Sequence, residues 1–187
     1  MKNIAILSIA GLAAAASAQG VTLHFDIDGD ASTASDVVAD SATWTVWASF
    51  TGYPDATAYF GGWNGDWTST GDGAASNFVN LMAGTGVLGA PNGADLEGVN
   101  IFNSALLQTN DPANPLAIFT FDTSGTTSEL SYTGAAGVAS VFPDGNLFGL
   151  PDEFTSVTII SDRLVVPAPG AAALLGLGGL VATRRRR

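Results

Sequence analysis

Apolar and polar residues alternate along much of this chain with a period of two. The pattern is first seen at residues 21–27, where Val21, Leu23, Phe25 and Ile27 share one face and Thr22, His24 and Asp26 the other. It predicts a half-buried strand with His24 as a surface residue on its polar face. Further β-rich runs occur at Thr43–Phe50, Phe78–Met82, Val99–Phe102, Leu116–Asp122, Glu129–Thr133, Val138–Phe142 and Phe154–Ile160. Turn signals stand between them at Asp28-Gly29, Asn64-Gly65, Asp72-Gly73, Asn92-Gly93, Ser124-Gly125 and Asp144-Gly145, where glycine admits positive φ at little steric cost. Many short strands, with no sustained helical periodicity, predict an all-β domain: an antiparallel β-sandwich of jelly-roll or immunoglobulin/cohesin-like type. One short helix is expected at Asn103–Gln108, where Ala105, Leu106 and Leu107 are good helix formers.

Both termini depart from this alternation. Lys2 precedes an apolar stretch from Ile4 to Ala16, and Ala16-Ser17-Ala18 has the small-residue pattern of a secretory cleavage site. Residues 1–18 therefore read as a signal peptide, with Ala16, Ala18 and Gln19 marking the cleavage and Gln19 opening the mature chain; a buried N-terminal helix would need a polar face that this run lacks. At the other end no charge occurs between Leu164 and Thr183, after which come Arg184, Arg185, Arg186 and Arg187. Arginine is costly to carry through hydrocarbon and stays on the cytoplasmic side, so the block reads as a membrane stop. The segment that can be helical, Gly170–Thr183, would span only about 21 Å, against a bilayer core of about 30 Å. Pro167 and Pro169 would start that helix or precede it. A transmembrane helix this short is better suited to a processed signal than to a permanent single-span anchor.

Val166-Pro167-Ala168-Pro169, the short Leu/Ala/Gly span and the terminal arginines resemble, in that order, the PEP-CTERM sorting signal of Gram-negative bacteria. The family motif is Pro-Glu-Pro, and here Ala168 stands in the glutamate's place. The resemblance covers about the last 22 residues. It implies recognition by an exosortase-type membrane processing enzyme, with the chain membrane-anchored before processing and then sorted to the cell surface or extracellular polymer. The chain thus divides into a signal peptide (1–18), an extracellular β-sandwich (19–166) and the sorting signal (167–187).

Charge narrows the partners of the middle part, which at about 148 residues is the size of one domain with a substantial core. It holds all 17 acidic residues against the single basic residue Arg163, a formal charge of −16. Nucleic acid and anionic lipid are excluded as partners of such a domain, because phosphate binding depends on Lys and Arg. There is no cysteine, so no disulfide framework supports the fold.

The same counts limit the chemistry. Residues 19–166 offer no cysteine or lysine nucleophile, no His/Cys zinc site and no Gly-x-Ser-x-Gly elbow. A glycosidase pair of carboxylates, Asp152 with Glu153 or Asp95 with Glu97, is conceivable in so acidic a domain, although turn and surface roles explain them too. Asp26, Asp28 and Asp30 resemble a calcium loop, since alternating carboxylates can converge on a hard cation. The run departs from the EF-hand pattern, with glycine fourth and Val37 twelfth. Trp44, Trp47, Tyr53, Tyr59, Phe60, Trp63 and Trp67 form an aromatic group. Core packing is the expected role of such a group, since Trp44 shares a strand face with Val46, and Trp63 and Trp67 are the candidate glycan contacts within it.

The sequence thus predicts an exported, surface-sorted structural or adhesive protein of the cell envelope or extracellular polymer. A carbohydrate-binding module that uses Trp63 and Trp67 on an extracellular polysaccharide is the alternative, and a surface glycosidase is third.

Overall fold

The alternating runs become strands that pair into two sheets. The computed structural model describes residues 18–27, 36–37, 41–53, 58–82, 86–102, 115–143 and 149–166, and every regular element among them is a strand. In chain order these are β1 (Gly20–Asp26), β2 (Asp36–Val37), β3 (Ser41–Thr51), β4 (Tyr59–Thr70), β5 (Ala74–Asn80) and β6 (Gly86–Asn92). There follow β7 (Asp95–Phe102), β8 (Leu116–Ser124), β9 (Glu129–Phe142), β10 (Asp152–Phe154), β11 (Thr158–Ser161) and β12 (Arg163–Val165). A five-stranded sheet has the order β11-β1-β3-β8-β5. A seven-stranded sheet runs β2-β12-β9-β4-β7-β6, with β10 also paired to β9. All pairings are antiparallel except β1 with β11 and β2 with β12.

Register puts the apolar faces together. Val21, Leu23 and Phe25 on β1 lie opposite Phe50, Ala48 and Val46 on β3, and Trp44 lies opposite Phe121 on β8. All of them are buried. The seven-stranded sheet answers with Trp63, Trp67, Leu96, Val99, Ile101, Leu130, Tyr132, Ala139 and Val141. Rings then bridge the two layers: Phe25 stacks on Tyr132 at 4.4 Å, Trp67 on Phe119 at 5.1 Å, and Trp44 meets Tyr132 edge-on at 5.4 Å. Each such ring buries about 150–250 Å², which lets the sandwich cohere without disulfides.

Two of the buried polar groups in this core are paired, whereas Trp63 Nε1 and Trp67 Nε1 have no hydrogen-bond partner among the described residues. Trp44 Nε1 donates to Thr123 Oγ1 at 2.8 Å, and Tyr132 Oη donates to the Ala94 carbonyl at 2.7 Å. Burial, reinforced by the nearby Asp95 charge, pushes the Tyr132 phenol well above its ordinary range.

Three expectations about elements need correction. Asn64-Gly65 is not a turn but the middle of the long strand β4, whose two tryptophans are turned inward. Glu129–Thr133 and Val138–Phe142 are parts of one strand, β9. The Gly/Ala stretch between them stays extended because it packs beside large neighbours: a side chain at Gly137 would meet Trp63 Cζ2 at 2.8 Å and the Asn64 carbonyl at 2.4 Å. The run Phe154–Ile160 divides into β10 and β11, which join different sheets. Asn92-Gly93 does form a tight hairpin between β6 and β7, with Asn92 paired to Asp95 and Gly93 at φ 67°. The helix expected at Asn103–Gln108, the apolar stretch of the expected signal peptide and the expected sorting segment 167–187 lie outside the described residues. Among the described residues no helix is long and apolar enough to cross a membrane.

Candidate functional site

The chain's first and last strands meet around His24. At residue 162 the backbone passes from β11 in one sheet to β12 in the other, and Asp162 N donates to the Phe25 carbonyl at 2.8 Å. Its Oδ2 accepts from Ile27 N at 2.7 Å, and its Oδ1 lies 3.8 Å from His24 Nε2. His24 is therefore buried, at 5% exposure, instead of lying on the surface. The predicted polar face of β1 is covered because the C-terminal crossover folds over it, a contact between residues too distant in sequence for periodicity to show.

Of the candidate calcium loop's carboxylates, Asp26 alone lies among the described residues. Asp26 is buried, and its Oδ2 accepts from Trp47 Nε1 at 2.8 Å, which commits it to the β1–β3 pair. Asp28 and Asp30 lie outside the described residues. Among the described residues no group of three or more His, Asp or Glu converges as a metal site.

The candidate glycosidase carboxylates have separate structural duties. Asp95 Oδ1 accepts from both Ser69 N and Ser69 Oγ at 2.7 Å, while Glu97 accepts from Asn92 Nδ2 at 2.7 Å. Asp152 accepts from Tyr53 Oη at 2.9 Å. Burial, that hydrogen bond and the carboxylate charge together push the Tyr53 phenol above its ordinary range. Its neighbour Glu153 stands on the opposite side of β10, as successive strand residues must.

Trp63 and Trp67 cannot offer their faces to a sugar. Each is 1% exposed, they stack on one another at 5.2 Å, and Trp67 is further packed against Phe25 and Phe119. Alternation along β4 turns them into the core and leaves Asn64 outside.

What the outer face of the seven-stranded sheet carries is a groove of about 250 Å³. Two cross-strand rows build it. Phe102, Gly62, Ser140 and Glu153 lie opposite one another across β7, β4, β9 and β10, and the next row holds Asn100, Asn64 and Val138. The floor at Gly62 is bare of necessity, since a side chain there would meet the Ile101 carbonyl at 2.3 Å and Phe102 Cα at 2.8 Å. Phe102 is 43% exposed and forms an aromatic wall. Sequence reasoning placed Phe102 in a strand without asking which way it faces. Alternation through Val99, Asn100, Ile101 and Phe102 held the signal, because the buried Val99 and Ile101 leave Asn100 and Phe102 outward together.

The residues expected to serve cleavage and sorting flank the described fold. Ala18 and Gln19 are exposed and immediately precede β1, while Ala16 lies outside the described residues. Val166 N donates to the Ser128 carbonyl at 2.8 Å, directly before the segment that holds Pro167, Ala168, Pro169 and the four arginines.

No protein-family model and no curated protein matches this sequence. Among solved structures, the chain is similar to the third cohesin of ScaC from Acetivibrio cellulolyticus, solved in complex with the ScaB dockerin. The TM-score is 0.43 at 12% identity, over 81% of this chain and 100% of that one. It is also similar to the seventh ScaB type I cohesin of Pseudobacteroides cellulosolvens, with TM-score 0.41 and 12% identity over 80% and 93% of the two chains. A third similar structure is the Coh-OlpA-Doc918 cohesin–dockerin complex of Clostridium thermocellum, at TM-score 0.37 and 9% identity over 78% and 99%.

Proposed function

We propose that this chain is an exported structural or adhesive protein of the cell envelope or extracellular polymer. Its tail delivers it there, and an exosortase-type enzyme processes it. The observation that carries this reading is the agreement of boundaries. β1 begins one residue after Gln19, and the final hydrogen bond of the sandwich is made by Val166. Removing residues 1–18 and 167–187 would therefore take none of the described strands from either sheet. The carboxylates of the domain work as hydrogen-bond acceptors that tie strands and turns together, which suits a scaffold. The groove beside Phe102 favours carbohydrate binding as a second reading.

The test follows the full chain in an exporting Gram-negative host, with fractionation into membrane, surface and medium. Replacement of Arg184–Arg187 by glutamine is expected to abolish membrane retention and surface sorting, because no charge then stops the span. Unchanged surface delivery of that variant would overturn the sorting role.

A further inference from the structure

We propose that the groove on the outer face of the seven-stranded sheet seats a neutral sugar ring of an extracellular polysaccharide. The proposal rests on the reading of the chain as extracellular and gives its adhesive role a ligand class. The groove has the composition that a sugar demands. Hydroxyls both donate and accept, and they meet here two carboxamides, Asn64 and Asn100, the Ser140 hydroxyl and the Glu153 carboxylate. The exposed ring of Phe102 offers an apolar face to the C–H side of a pyranose.

These polar groups are unclaimed. Among the described residues, no hydrogen bond or ion pair engages the side chains of Asn64, Asn100, Ser140 or Glu153, and the contrast with the other described carboxylates is sharp. Every other carboxylate whose side chain is described has a partner: Asp26 on Trp47, Asp66 on Gly98, Asp72 on Thr127, Asp95 on Ser69, Glu97 on Asn92. The same holds for Asp122 on Thr43, Glu129 on Arg163, Asp152 on Tyr53 and Asp162 on Ile27. Among the carboxylates whose side chains are described, Glu153 is the one left for something outside the chain.

Charge and size narrow the ligand. No Lys or Arg lines the groove and one carboxylate does, so uronate and sulfated chains are repelled while a neutral ring keeps its hydrogen bonds. Clefts that enclose drug-sized ligands run to about 300–1,000 Å³. A volume of about 250 Å³ suits one ring of a chain that continues across the sheet.

The experiment titrates the full chain with soluble neutral oligosaccharides, namely β-glucan, mannan and galactan hexamers, and with polygalacturonate and alginate as anionic probes. A polyoxyethylene detergent keeps the tail soluble without adding sugar. Tryptophan fluorescence is the first readout, because Trp63 lines the groove from below. We expect at least one neutral hexamer to bind and both uronates to fail. Phe102→Ala and Asn100→Ala are each expected to weaken binding by about tenfold. Both residues lie on the outer face, so melting temperature should hold, and Val79→Ala, at an exposed position on β5, should leave binding unchanged. Absence of binding to every neutral probe, binding that both groove variants leave intact, or preference for the uronates would each overturn the proposal. A groove that fails this test in a chain still sorted to the surface would leave the sorting role standing.

Discussion

Asp122 shows how single residues earn their place in so acidic a domain. It stands on β8 between two neighbouring strands, accepting from Thr43 Oγ1 at 2.6 Å on β3 and from Asn77 Nδ2 at 2.8 Å on β5. Asn77 reaches it from a bulge, at φ 53°. The Thr43 hydroxyl first, then the Asn77 amide, hold the Asp122 carboxyl below the ordinary 3.8. Because the folded value is the lower one, the stabilisation is complete above about pH 4 and fades as pH falls through it. Asp122→Asn should therefore lower the neutral plateau of a stability-against-pH curve and flatten its acid limb, the two proteins converging at low pH. Equal acid steepness in the two proteins would contradict the assignment. The strand that carries Asp122 was legible in sequence, but its partners were not, since they lie 79 and 45 residues away. For Trp67 the case is similar: alternation along β4 is compatible with burial, but the rings packed on it, Phe25 and Phe119, come from β1 and β8.

At the scale of elements, β9 explains both what alternation reveals and where it fails. Its ends read as strands because bulky apolar residues alternate there. Its middle does not, because Gly134 to Gly137 offers little side chain to pattern. The two glycines nevertheless have different environments. A Cβ on Gly137 would meet backbone, the Asn64 carbonyl at 2.4 Å and Gly65 Cα at 2.7 Å, whereas one on Gly134 would meet Thr68 Cβ at an ordinary 3.5 Å. Gly137→Ala should thus push β9 away from β4 and destabilise the protein by about 1–3 kcal/mol, the usual effect of overpacking. Gly134→Ala should be neutral or slightly stabilising, since alanine lowers the entropy of the unfolded chain. Thermal melts of the two variants check this, at about 2–4 °C per kcal/mol for a chain of this size. Similar melting temperatures would mean that the β4–β9 contact yields more easily than its spacing implies. β4 was misread for the opposite reason: its Asn-Gly pair has the composition of a hairpin turn, yet both flanking segments continue in one line against β9, where pairing on two sides outweighs the local turn preference.

At the scale of the whole molecule, the two sheets depend on the joining of the chain's ends. β1 is held between β3 and β11, and β12 closes against β9 and β2, so the strands that flank residues 1–18 and 167–187 lie inside the sheets. Residues 19–166 should consequently fold without residues 1–18 or 167–187, as a soluble β-rich protein with one cooperative thermal transition. Trp44 is the sharpest probe of that core. It is fully buried, stacks on Phe121 at 6.1 Å, meets Tyr132 of the opposite sheet and spends its indole N–H on Thr123. Trp44→Ala removes the ring and strands the Thr123 hydroxyl in the interior, so a loss of about 3–5 kcal/mol is expected. Circular dichroism of residues 19–166 and of its Trp44→Ala variant decides the matter. A helical or disordered spectrum for the first would refute the self-sufficient sandwich. An unchanged melting temperature for the second would mean that the contacts between the sheets do not hold this fold together.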